Sequence, residues 1–335
     1  MRRILPFLVL LAFGSTRADE PRRFEYEEPH MGTKFRVVLY SSSKEMADKA
    51  AKAAFARVAA LNRIMSDYSP DSELMQLCKK FEKESAKPVK VSDELFFVLH
   101  KANQVSVLSG GAFDVTIGPV VRLWRQARKE RRLPEPEVLK AALQKVGYKN
   151  LTLDAQAKTV LLKVPGMLLD LGGIAKGYAA DEGLRVIETF GIKSALVAAS
   201  GDIAVSKAPP GRDGWRIDIE PLQGTKDADQ LVLADAAVST SGDSEQFVEI
   251  AGVRYSHVVD PFTGIGLKGR RSVTVVARRG IDADSLTKMA SILPADKAVE
   301  KIETLKGTAA LIVVKLEKGA EVKRSSRFAS FLAKE

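Results

Sequence analysis

The sequence predicts a single large domain of the α+β class, a mixed α/β fold whose second half is rich in strands. Its 335 residues are 45% hydrophobic, which is enough to bury a substantial core. Helical and extended patterns alternate early in the chain, and short extended runs dominate later. The chain shows neither an internal repeat nor a low-complexity linker, so a solenoid is excluded.

The first half begins with a predicted strand over residues 33–40, where apolar and polar residues alternate. A long helix follows, because apolar residues recur on one stripe of the helical pattern. Ser92 is a predicted N-cap, and the helix that it starts is expected to end near Gly110 and Gly111. The stripe of the long helix contains Met46, Ala50, Ala54, Val58 and Leu61.

The second half consists mainly of short extended runs. "NLTLD" and "TVLLKV" predict a hairpin, and the apolar run "MLLDL" leads into a helix that Gly191 ends. A further helix is predicted in "ADSLTKMASIL". The remaining predicted strands are "SALVAASGDIAV", "GWRIDIEPL", "QLVLADAAVSTSG", "FVEIAG", "YSHVVD", "RSVTVVAR" and "AALIVVKL".

Residues 1–18 have the pattern of a signal peptide. Arg2 and Arg3 precede an apolar stretch at residues 4–13 that is too short to span a membrane. The small residues Thr16 and Ala18, on either side of Arg17, predict a cleavage site. An uncleaved N-terminal anchor is the alternative interpretation. We therefore expect an exported, periplasmic protein that works close to a membrane without spanning it.

After the signal peptide we expect a loose polar segment at residues 19–30 and one folded domain at residues 31–335. Cys78 is the single cysteine, so the exported domain must be stable without an internal disulfide bond. A lone cysteine of this kind is most often a buried small apolar residue.

The formal net charge of +10 fits an anionic ligand, although it is equally ordinary for a basic protein. The densest basic run, "RQARKERR" at residues 125–132, is typical of a solvated helix face. No aromatic residues interleave with it, and an exported protein is a poor partner for nucleic acid. We therefore exclude a nucleic-acid partner.

The stretch "DLGGIAKGYAAD", residues 170–181, places three glycines and a lysine where an apolar run gives way to a helical pattern. It is not a Walker loop, because Tyr178 stands where the lysine is required, and it lacks the G-x-G-x-x-G spacing. From the residues alone two interpretations stay open. The turn is either an anion-binding helix start to which Lys176 adds charge, or a plain tight turn with a solvated lysine.

Other catalytic classes lack their signatures in this sequence. There is no G-x-S-x-G elbow, no H-E-x-x-H and no paired Cys/His spacing, which argues against a serine hydrolase and a zinc site. Among the three histidines, His100 falls within a helical pattern and His30 precedes the first strand. His257 lies between a strand and a Pro-Gly turn, where site residues tend to project.

Nine stretches together resemble the ApbE-type FAD:protein FMN transferases, also called flavin transferases. Each stretch is weak alone, but all nine run in the family's order along nearly the whole mature chain. The resemblance identifies residues 31–335 as a flavin transferase domain. The stretches are "MGTKFRV", "RIMSDYSPDSEL", "GGAFDVTIGPVVRLW", "VGYKNLTLD", "DLGGIAKGYAAD", "ASGDIAV", "AVSTSGDSEQF", "RYSHVVDPFTG" and "SVTVVARRGIDADSLTKMASIL".

The resemblance implies an enzyme that uses FAD as its substrate together with a divalent metal, usually Mg²⁺. It implies transfer of the FMN half to a threonine or serine hydroxyl of an acceptor redox protein, with release of AMP. Such a transition state concentrates charge on non-bridging oxygens, which fixed donors and cations stabilise. An FAD pyrophosphatase, in which water replaces the acceptor hydroxyl, would use the same site. A non-catalytic FAD-binding protein and a basic scaffold protein are further alternatives.

Residue roles follow by similarity to the family's motifs. His257 is the candidate base, since an ordinary histidine titrates near neutral pH, and a hydrogen-bonded structural histidine is the alternative. The backbone carbonyl of Gly173 is an expected metal ligand. The expected FAD-binding positions are Met31, Tyr68, Ala112, Phe113, Asp114, Asp170, Lys176, Thr240, Ser241, Gly242, Asp243, His257 and Val258.

The expected metal-binding segment departs from the family's usual A-D-A-L-x-T. Asp284 is in place, but Lys288 stands where the threonine is expected, and Thr287 lies about 100° around a helix from that position. Three interpretations follow. Asp284 and Thr287 still hold Mg²⁺, or the Lys288 ammonium supplies the charge of the ion, or Lys288 only pairs with Asp284 on the surface of a degraded site.

Two further departures concern the neighbourhood of the site. Ser200 stands where many members have glycine, so it either narrows the approach of the backbone or donates to a phosphate. The stretch "LWRQARKERRLP" replaces the usual "LWGFG", and we expect it to change the surface that meets the acceptor protein.

Overall fold

The computed structural model describes residues 20–83, 87–220, 222, 229–242 and 247–334. The predicted signal peptide and the expected FAD-binding residue Asp243 lie outside these ranges. Within them the chain forms a large antiparallel sheet with helices packed against it, which confirms the predicted mixed α/β architecture.

The helices lie mainly in the first half and near the C-terminus, and most strands follow residue 150. The helices are α1 (Lys44–Met65), α2 (Glu73–Lys80), α3 (Asp93–Ser109), α4 (Gly118–Glu130), α5 (Pro136–Leu143), α6 (Ala175–Thr189), α7 (Gly280–Ile292) and α8 (Ala295–Glu303). The strands are β1 (Arg22–His30), β2 (Thr33–Ser41), β3 (Val89–Lys90), β4 (Leu151–Asp154), β5 (Thr159–Leu162), β6 (Ala195–Ala199), β7 (Asp202–Val205), β8 (Trp215–Asp218), β9 (Gln230–Leu233), β10 (Ala236–Gly242), β11 (Phe247–Ile250), β12 (Val253–Val259), β13 (Gly266–Lys268), β14 (Arg271–Ala277), β15 (Ala309–Lys315) and β16 (Ala320–Arg324).

The main sheet has the strand order β1-β2-β6-β7-β10-β14-β15-β16, and each neighbouring pair is antiparallel. Smaller sheets contain β11-β12-β13, β3-β5-β4 and β8-β9. The predicted hairpin of "NLTLD" and "TVLLKV" is confirmed as β4 and β5. The many antiparallel neighbours that are close in sequence explain why short extended runs dominate the second half.

The expectation of a loose segment at residues 19–30 is wrong for most of its length. Residues 22–30 form β1, which pairs with β2 from Arg22 opposite Ser41 to His30 opposite Thr33. Phe24 and Tyr26 pack against the main core, although charged residues surround them in the sequence. Apolar and polar residues alternate in this segment only over a short distance. Because β1 lies at the edge of the main sheet, its other side chains are exposed to water, and the composition of the segment is therefore polar.

Both faces of the central strands are buried. Alternate residues point to opposite sides, so Val37 packs in the core that α1, α6 and α7 cover. Val38 packs in a second core on the other side, with residues of β8 and β9 and with Phe328. The sheet is therefore a rigid middle layer, and the loops at its ends are held in fixed positions.

The predicted start and end of α3 are confirmed. The Ser92 hydroxyl accepts the Leu95 N–H at 3.2 Å, and Gly110 ends α3 with a φ of 65°. The Glu73 carboxylate in turn accepts the Ser92 N–H and hydroxyl, both at 2.6 Å. The start of α3 is thus fixed by contacts that extend to α2.

A third core joins α4 and α5 to β12. Trp124 on α4 is fully buried, and its indole N–H donates to the carbonyl of Gly264 at 2.7 Å. This packing places the arginine-rich end of α4 beside the strand that carries His257.

Two expectations about the chain as a whole can be compared with the described residues. Cys78 is buried as expected, and burial raises the pKa of its thiol to about 11. Across the described residues, none of the helices has both the length and the apolar character that crossing a bilayer requires.

Candidate active site

A cavity of about 780 Å³ lies between the main sheet, the start of α6 and the region where α4 packs on β12. This volume is within the range of small-molecule binding sites. The structure brings most of the residues singled out from the sequence to this cavity. Those lining it are Met31, Tyr68, Ala112, Phe113, Asp114, Asp170, Gly173, Lys176, Thr240, Ser241, Gly242, His257, Val258 and Lys288.

The turn of "DLGGIAKGYAAD" forms one wall of the cavity. The Asp170 carboxylate accepts the Gly172 N–H at 2.7 Å, and α6 starts at Ala175. The run before the turn is not a strand, since only Leu168 forms a bridge, to Ile117. The turn is therefore held by a carboxylate and by its neighbours, not by a preceding strand.

The helix that follows the turn packs on α7 at two glycines. A Cβ atom at Gly177 would overlap the carbonyl oxygen of Gly280, and a Cβ at Gly280 would overlap the carbonyl of Gly177. Asp181 fixes the same contact, because its carboxylate accepts the N–H of Gly280 at 2.6 Å and of Ile281 at 3.1 Å. Burial raises the pKa of Asp181 to about 6. This close contact places the side chains of α7 beside the start of α6.

Four charged side chains meet where α6, α7 and β7 converge. Lys176 pairs with Asp202 and lies 3.9 Å from an oxygen of Asp284. Lys288 lies 3.3 Å from the other oxygen of Asp284. Asp284 has no exposed surface, and its carboxylate also accepts the Gly177 N–H at 3.1 Å. We call Lys176, Asp202, Asp284 and Lys288 the charged cluster.

The charged cluster balances two carboxylates with two ammonium groups. Burial opposes the charge on Lys176, but Asp202 and Asp284 hold its pKa above the ordinary value. Burial would raise the pKa of Asp202, yet Lys176 and Lys288 hold it below the ordinary value. Burial and the Asp202 charge raise the pKa of Asp284, against the pull of the two lysines. Paired in this way, the buried carboxylates hold the two ammonium groups at the cavity wall.

The residues present do not fit a divalent metal. The expected ligand Thr287 is fully buried and does not line the cavity, and its hydroxyl donates to the carbonyl of Ala283 at 2.5 Å. Because Thr287 lies one residue before Lys288 on α7, its side chain points in a different direction. It faces β10, where its hydroxyl lies 3.4 Å from the carbonyl oxygen of Ser239. In the part of the chain that the structure describes, no three His, Cys, Asp or Glu side chains are placed to hold an ion.

Lys288 itself is not a surface residue. Its side chain is 17% exposed and lines the cavity. A Cβ atom at Gly173 would lie 2.9 Å from Cγ of Lys288, so the lysine stem passes directly over the glycine. The interpretation in which Lys288 only pairs with Asp284 on the surface is therefore wrong, and its ammonium belongs to the cavity wall.

A second group of charges lies at the other side of the turn. The Arg125 guanidinium pairs with Asp67, lies 3.3 Å from Asp170 and stacks 3.8 Å above the ring of Tyr68. Burial raises the pKa of Asp170 to about 6, and the charge of Asp67 adds to this effect. Tyr68 is 76% exposed, so the stacked pair lies at the mouth of the cavity.

Arg125→Leu is expected to lower the free energy of unfolding by about 2 kcal/mol at neutral pH, because two close carboxylates lose their shared cation. The pKa of folded Asp170 lies above its ordinary value, so its ionisation costs stability as the pH rises toward 6. Protonation at lower pH removes that cost, and the loss should shrink below pH 6. Urea unfolding of the native protein and of Arg125→Leu, at one pH above 6 and one pH below 6, measures this loss of unfolding free energy.

Arg122→Leu is the matched control, since Arg122 is exposed on the same helix. It should change stability little at either pH. An equal loss for Arg125→Leu above and below pH 6 would contradict the proposed role of Asp170.

Several residues of the cavity were not predicted from the sequence, among them the charged residues Asp67, Arg125, Arg128 and Asp202. Arg128 donates to the backbone carbonyl of His257 at 3.3 Å, and burial lowers the pKa of its guanidinium. Its Nε is buried without a hydrogen-bond partner among the described residues. The run "RQARKERR" is therefore not only a solvated face. The signal that was available is the spacing of Arg125 and Arg128, which lie three apart on the side of α4 near Trp124.

Asp114 has a different task from its neighbours Ala112 and Phe113. Its carboxylate accepts both N–H and hydroxyl of Thr116 at 2.8 and 2.7 Å, and the N–H of Tyr148 at 2.7 Å. Burial raises its pKa. Asp114 therefore organises the loop that presents the other two residues to the cavity.

The opposite wall comes from strand ends. Thr240 to Gly242 end β10, and the Thr240 hydroxyl lies 3.0 Å from that of Thr274 on β14. The Thr240 N–H donates to the carbonyl of Gly201 at 3.0 Å, next to Ser200, whose φ is 56°. His257 and Val258 lie in β12. The cavity thus combines two lysines, an arginine with a free Nε–H and a histidine, which suits a ligand with several negative oxygens.

Comparison with known proteins agrees with this geometry. The sequence profile of the ApbE family matches residues 31–312. The FAD:protein FMN transferase of Treponema pallidum (strain Nichols) is 32% identical over 309 residues, which are 87% of this chain and 84% of the relative. The protein of the same name from Vibrio cholerae serotype O1 is 33% identical over 281 residues, 82% of each chain.

Solved structures share the fold over almost all of the chain. The flavin transferase ApbE from Vibrio cholerae has a TM-score of 0.83 at 29% identity and covers 93% of this chain and 100% of its own. The ApbE protein of Thermotoga maritima has a TM-score of 0.82 at 31% identity, with the same coverage. From the profile match, the relatives and the shared fold, we conclude that the chain belongs to the ApbE family of flavin transferases.

Proposed function

We propose that this protein is an FAD:protein FMN transferase, which moves the FMN half of FAD to a threonine or serine hydroxyl of an acceptor protein. The observation that carries the proposal is the convergence of the family's motif residues, from distant parts of the sequence, on one cavity. The names of the relatives support the same activity.

The reaction exchanges one phosphorus–oxygen bond for another. The acceptor hydroxyl oxygen attacks the phosphorus atom of the FMN half, and a new P–O ester bond forms. The anhydride P–O bond to the AMP half breaks, and AMP leaves with the electron pair. The hydroxyl proton goes to a base, for which the His257 ring is the candidate in the cavity.

The residues of the cavity suit the demands of this step. Negative charge gathers on the phosphate oxygens, and fixed cations nearby stabilise it without reorganisation. Lys176 is held by Asp202, and Lys288 by Asp284, so both ammonium groups stay at the wall. At the mouth, Tyr68 with Arg125 offers a flat surface for an aromatic ring such as the isoalloxazine.

We further propose that the protein acts outside the cytoplasm, on a redox protein close to the membrane. The charged start and the short apolar stretch at residues 4–13 support export. The proposal predicts that the processed chain is recovered from a periplasmic fraction, and recovery of the full-length chain from the membrane would instead support an N-terminal anchor.

The expected result of incubating the protein with FAD and an acceptor redox domain is an acceptor that gains the mass of one FMN, with AMP released in equal amount. Intact-mass and peptide spectrometry locate the modified residue. The matched control is the same acceptor with that threonine or serine changed to alanine, which should stay unmodified.

Two other outcomes would contradict the proposal. Release of AMP and free FMN, with no modified acceptor, would identify a pyrophosphatase that uses water as the nucleophile. FAD that binds but stays intact with every acceptor would identify a non-catalytic FAD-binding protein.

A further inference from the structure

We propose that the Lys288 ammonium replaces a divalent metal ion in this cavity, so that the protein binds the diphosphate of FAD without Mg²⁺. The inference rests on the proposed function for the identity of the ligand. It concerns how the site recognises that ligand.

The first argument is that both carboxylate oxygens of Asp284 already face a positively charged side chain. One carboxylate oxygen accepts the Gly177 N–H at 3.1 Å and faces Lys176 at 3.9 Å. The other oxygen lies 3.3 Å from Nζ of Lys288. Mg²⁺ needs oxygen ligands at about 2.0–2.1 Å in a nearly octahedral arrangement. An ion at Asp284 would have to displace the lysine.

The second argument is the charge balance of the charged cluster. Asp202 and Asp284 carry two negative charges, and Lys176 and Lys288 carry two positive charges. A dication placed among them would meet two ammonium groups at short range, and this repulsion would weaken its binding. Without the ion the cluster is already neutral.

The third argument is that one other expected ligand is buried away from the cavity and that the space beside the other is taken up by Lys288. Thr287 has no exposed surface, and its hydroxyl donates to the Ala283 carbonyl within its own helix. Gly173 lies under the stem of Lys288, whose Cγ would be 2.9 Å from a Cβ at that glycine. The lysine therefore fills the space beside the turn with its own chain.

The fourth argument is that both ammonium groups keep donors for a ligand. An ammonium has three N–H donors, and Lys176 and Lys288 each use part of this capacity on a carboxylate. Both side chains line the cavity. The remaining N–H donors can therefore bind a diphosphate, the part of FAD with several anionic oxygens, in this cavity.

The test compares FAD binding to the native protein in excess EDTA and in saturating MgCl₂, followed by flavin fluorescence. We expect the two dissociation constants to agree to within about twofold. The loss of a metal ion that contributed about 1.4 kcal/mol to binding would change the dissociation constant tenfold. Titration of MgCl₂ into the native protein saturated with FAD, by calorimetry, should give no binding heat. FAD affinity that falls tenfold or more in EDTA would overturn the inference.

Lys288→Thr supplies the complementary variant. It should bind FAD at least about tenfold more weakly in EDTA, because a cation and its N–H donors are lost. MgCl₂ should restore much of that affinity, since the variant frees Asp284 and leaves the cluster one positive charge short. Lys288→Thr that binds FAD in EDTA as tightly as the native protein would overturn the role of Lys288.

Lys297→Thr is the matched control, because Lys297 is an exposed lysine on α8 that pairs only with Glu300 among the described residues. Its FAD affinity should equal that of the native protein in both solutions. Native protein that fails to bind FAD in EDTA and in MgCl₂ alike would overturn the proposed function itself, and the inference with it. The native comparison needs no variant, so poor folding of Lys288→Thr does not prevent the test.

Discussion

Gly177→Ala is expected to lower the free energy of unfolding by about 3 kcal/mol and to abolish tight FAD binding. The added methyl group would overlap the carbonyl oxygen of Gly280, and neither atom belongs to a flexible side chain. Helices α6 and α7 must therefore move apart, at the cost of overpacking a close backbone contact. The movement carries Asp284 away from Lys176, so the charged cluster loses its geometry.

Chemical denaturation and flavin fluorescence measure the two effects. Gly183→Ala is the matched control, because a Cβ at Gly183 meets the Val197 side chain at an ordinary 3.4 Å. That variant should keep its affinity for FAD and gain slightly in stability, since alanine favours a helix over glycine by up to about 1 kcal/mol. Gly177→Ala with native stability would show that the contact between the two helices is not as close as the structure indicates.

His257→Ala is expected to slow FMN transfer by about 100-fold to 10,000-fold while the dissociation constant for FAD changes little. A base accepts the hydroxyl proton as the new P–O bond forms, so its removal raises the barrier without weakening ground-state binding. His257 lines the cavity, and the Arg128 contact to its backbone carbonyl does not depend on the imidazole. Single-turnover modification of an acceptor, followed by mass spectrometry, measures the rate.

His100→Ala is the matched histidine control. His100 lies on the exposed side of α3, where it stacks on Phe96 and contacts Gln104 outside the cavity. Its transfer rate should equal that of the native protein. An unchanged rate for His257→Ala would show that the base is a different group. A loss of FAD affinity as large as the loss of rate would show that His257 binds the substrate.

The charged cluster illustrates why part of the site was accessible from the sequence and part was not. Asp284 and Lys288 are four residues apart, so helical geometry alone predicted that their side chains share one face of α7. Lys176 and Asp202 come from α6 and β7, and nothing in the local pattern indicated that they pair. Only the packing of α6 on α7 decides which charges meet.

The arginines of α4 are a second case in which the local sequence pattern did not predict the contacts. Arg125 lies 58 positions from Asp67 and 45 from Asp170, yet it bridges both. From the sequence, "RQARKERR" had the composition of a solvated face, and its outer residues fit that description. Whether an arginine on this helix reaches water or a buried carboxylate depends on how α4 lies against β12. The contribution of the stretch "LWRQARKERRLP" to the surface that meets an acceptor protein stays a prediction.

The class of fold, the positions of most helices and strands, and the family could all be predicted from the amino-acid sequence. These properties follow from short-range signals, such as the Ser92 cap, the Gly110 end of α3 and the alternation in the strands. The pairing of β1, the orientation of Thr287 and the partners of Lys288 became visible only in the folded chain. Those features depend on contacts between segments that are far apart in the chain, and such contacts form only when the sheet and helices pack around a common core.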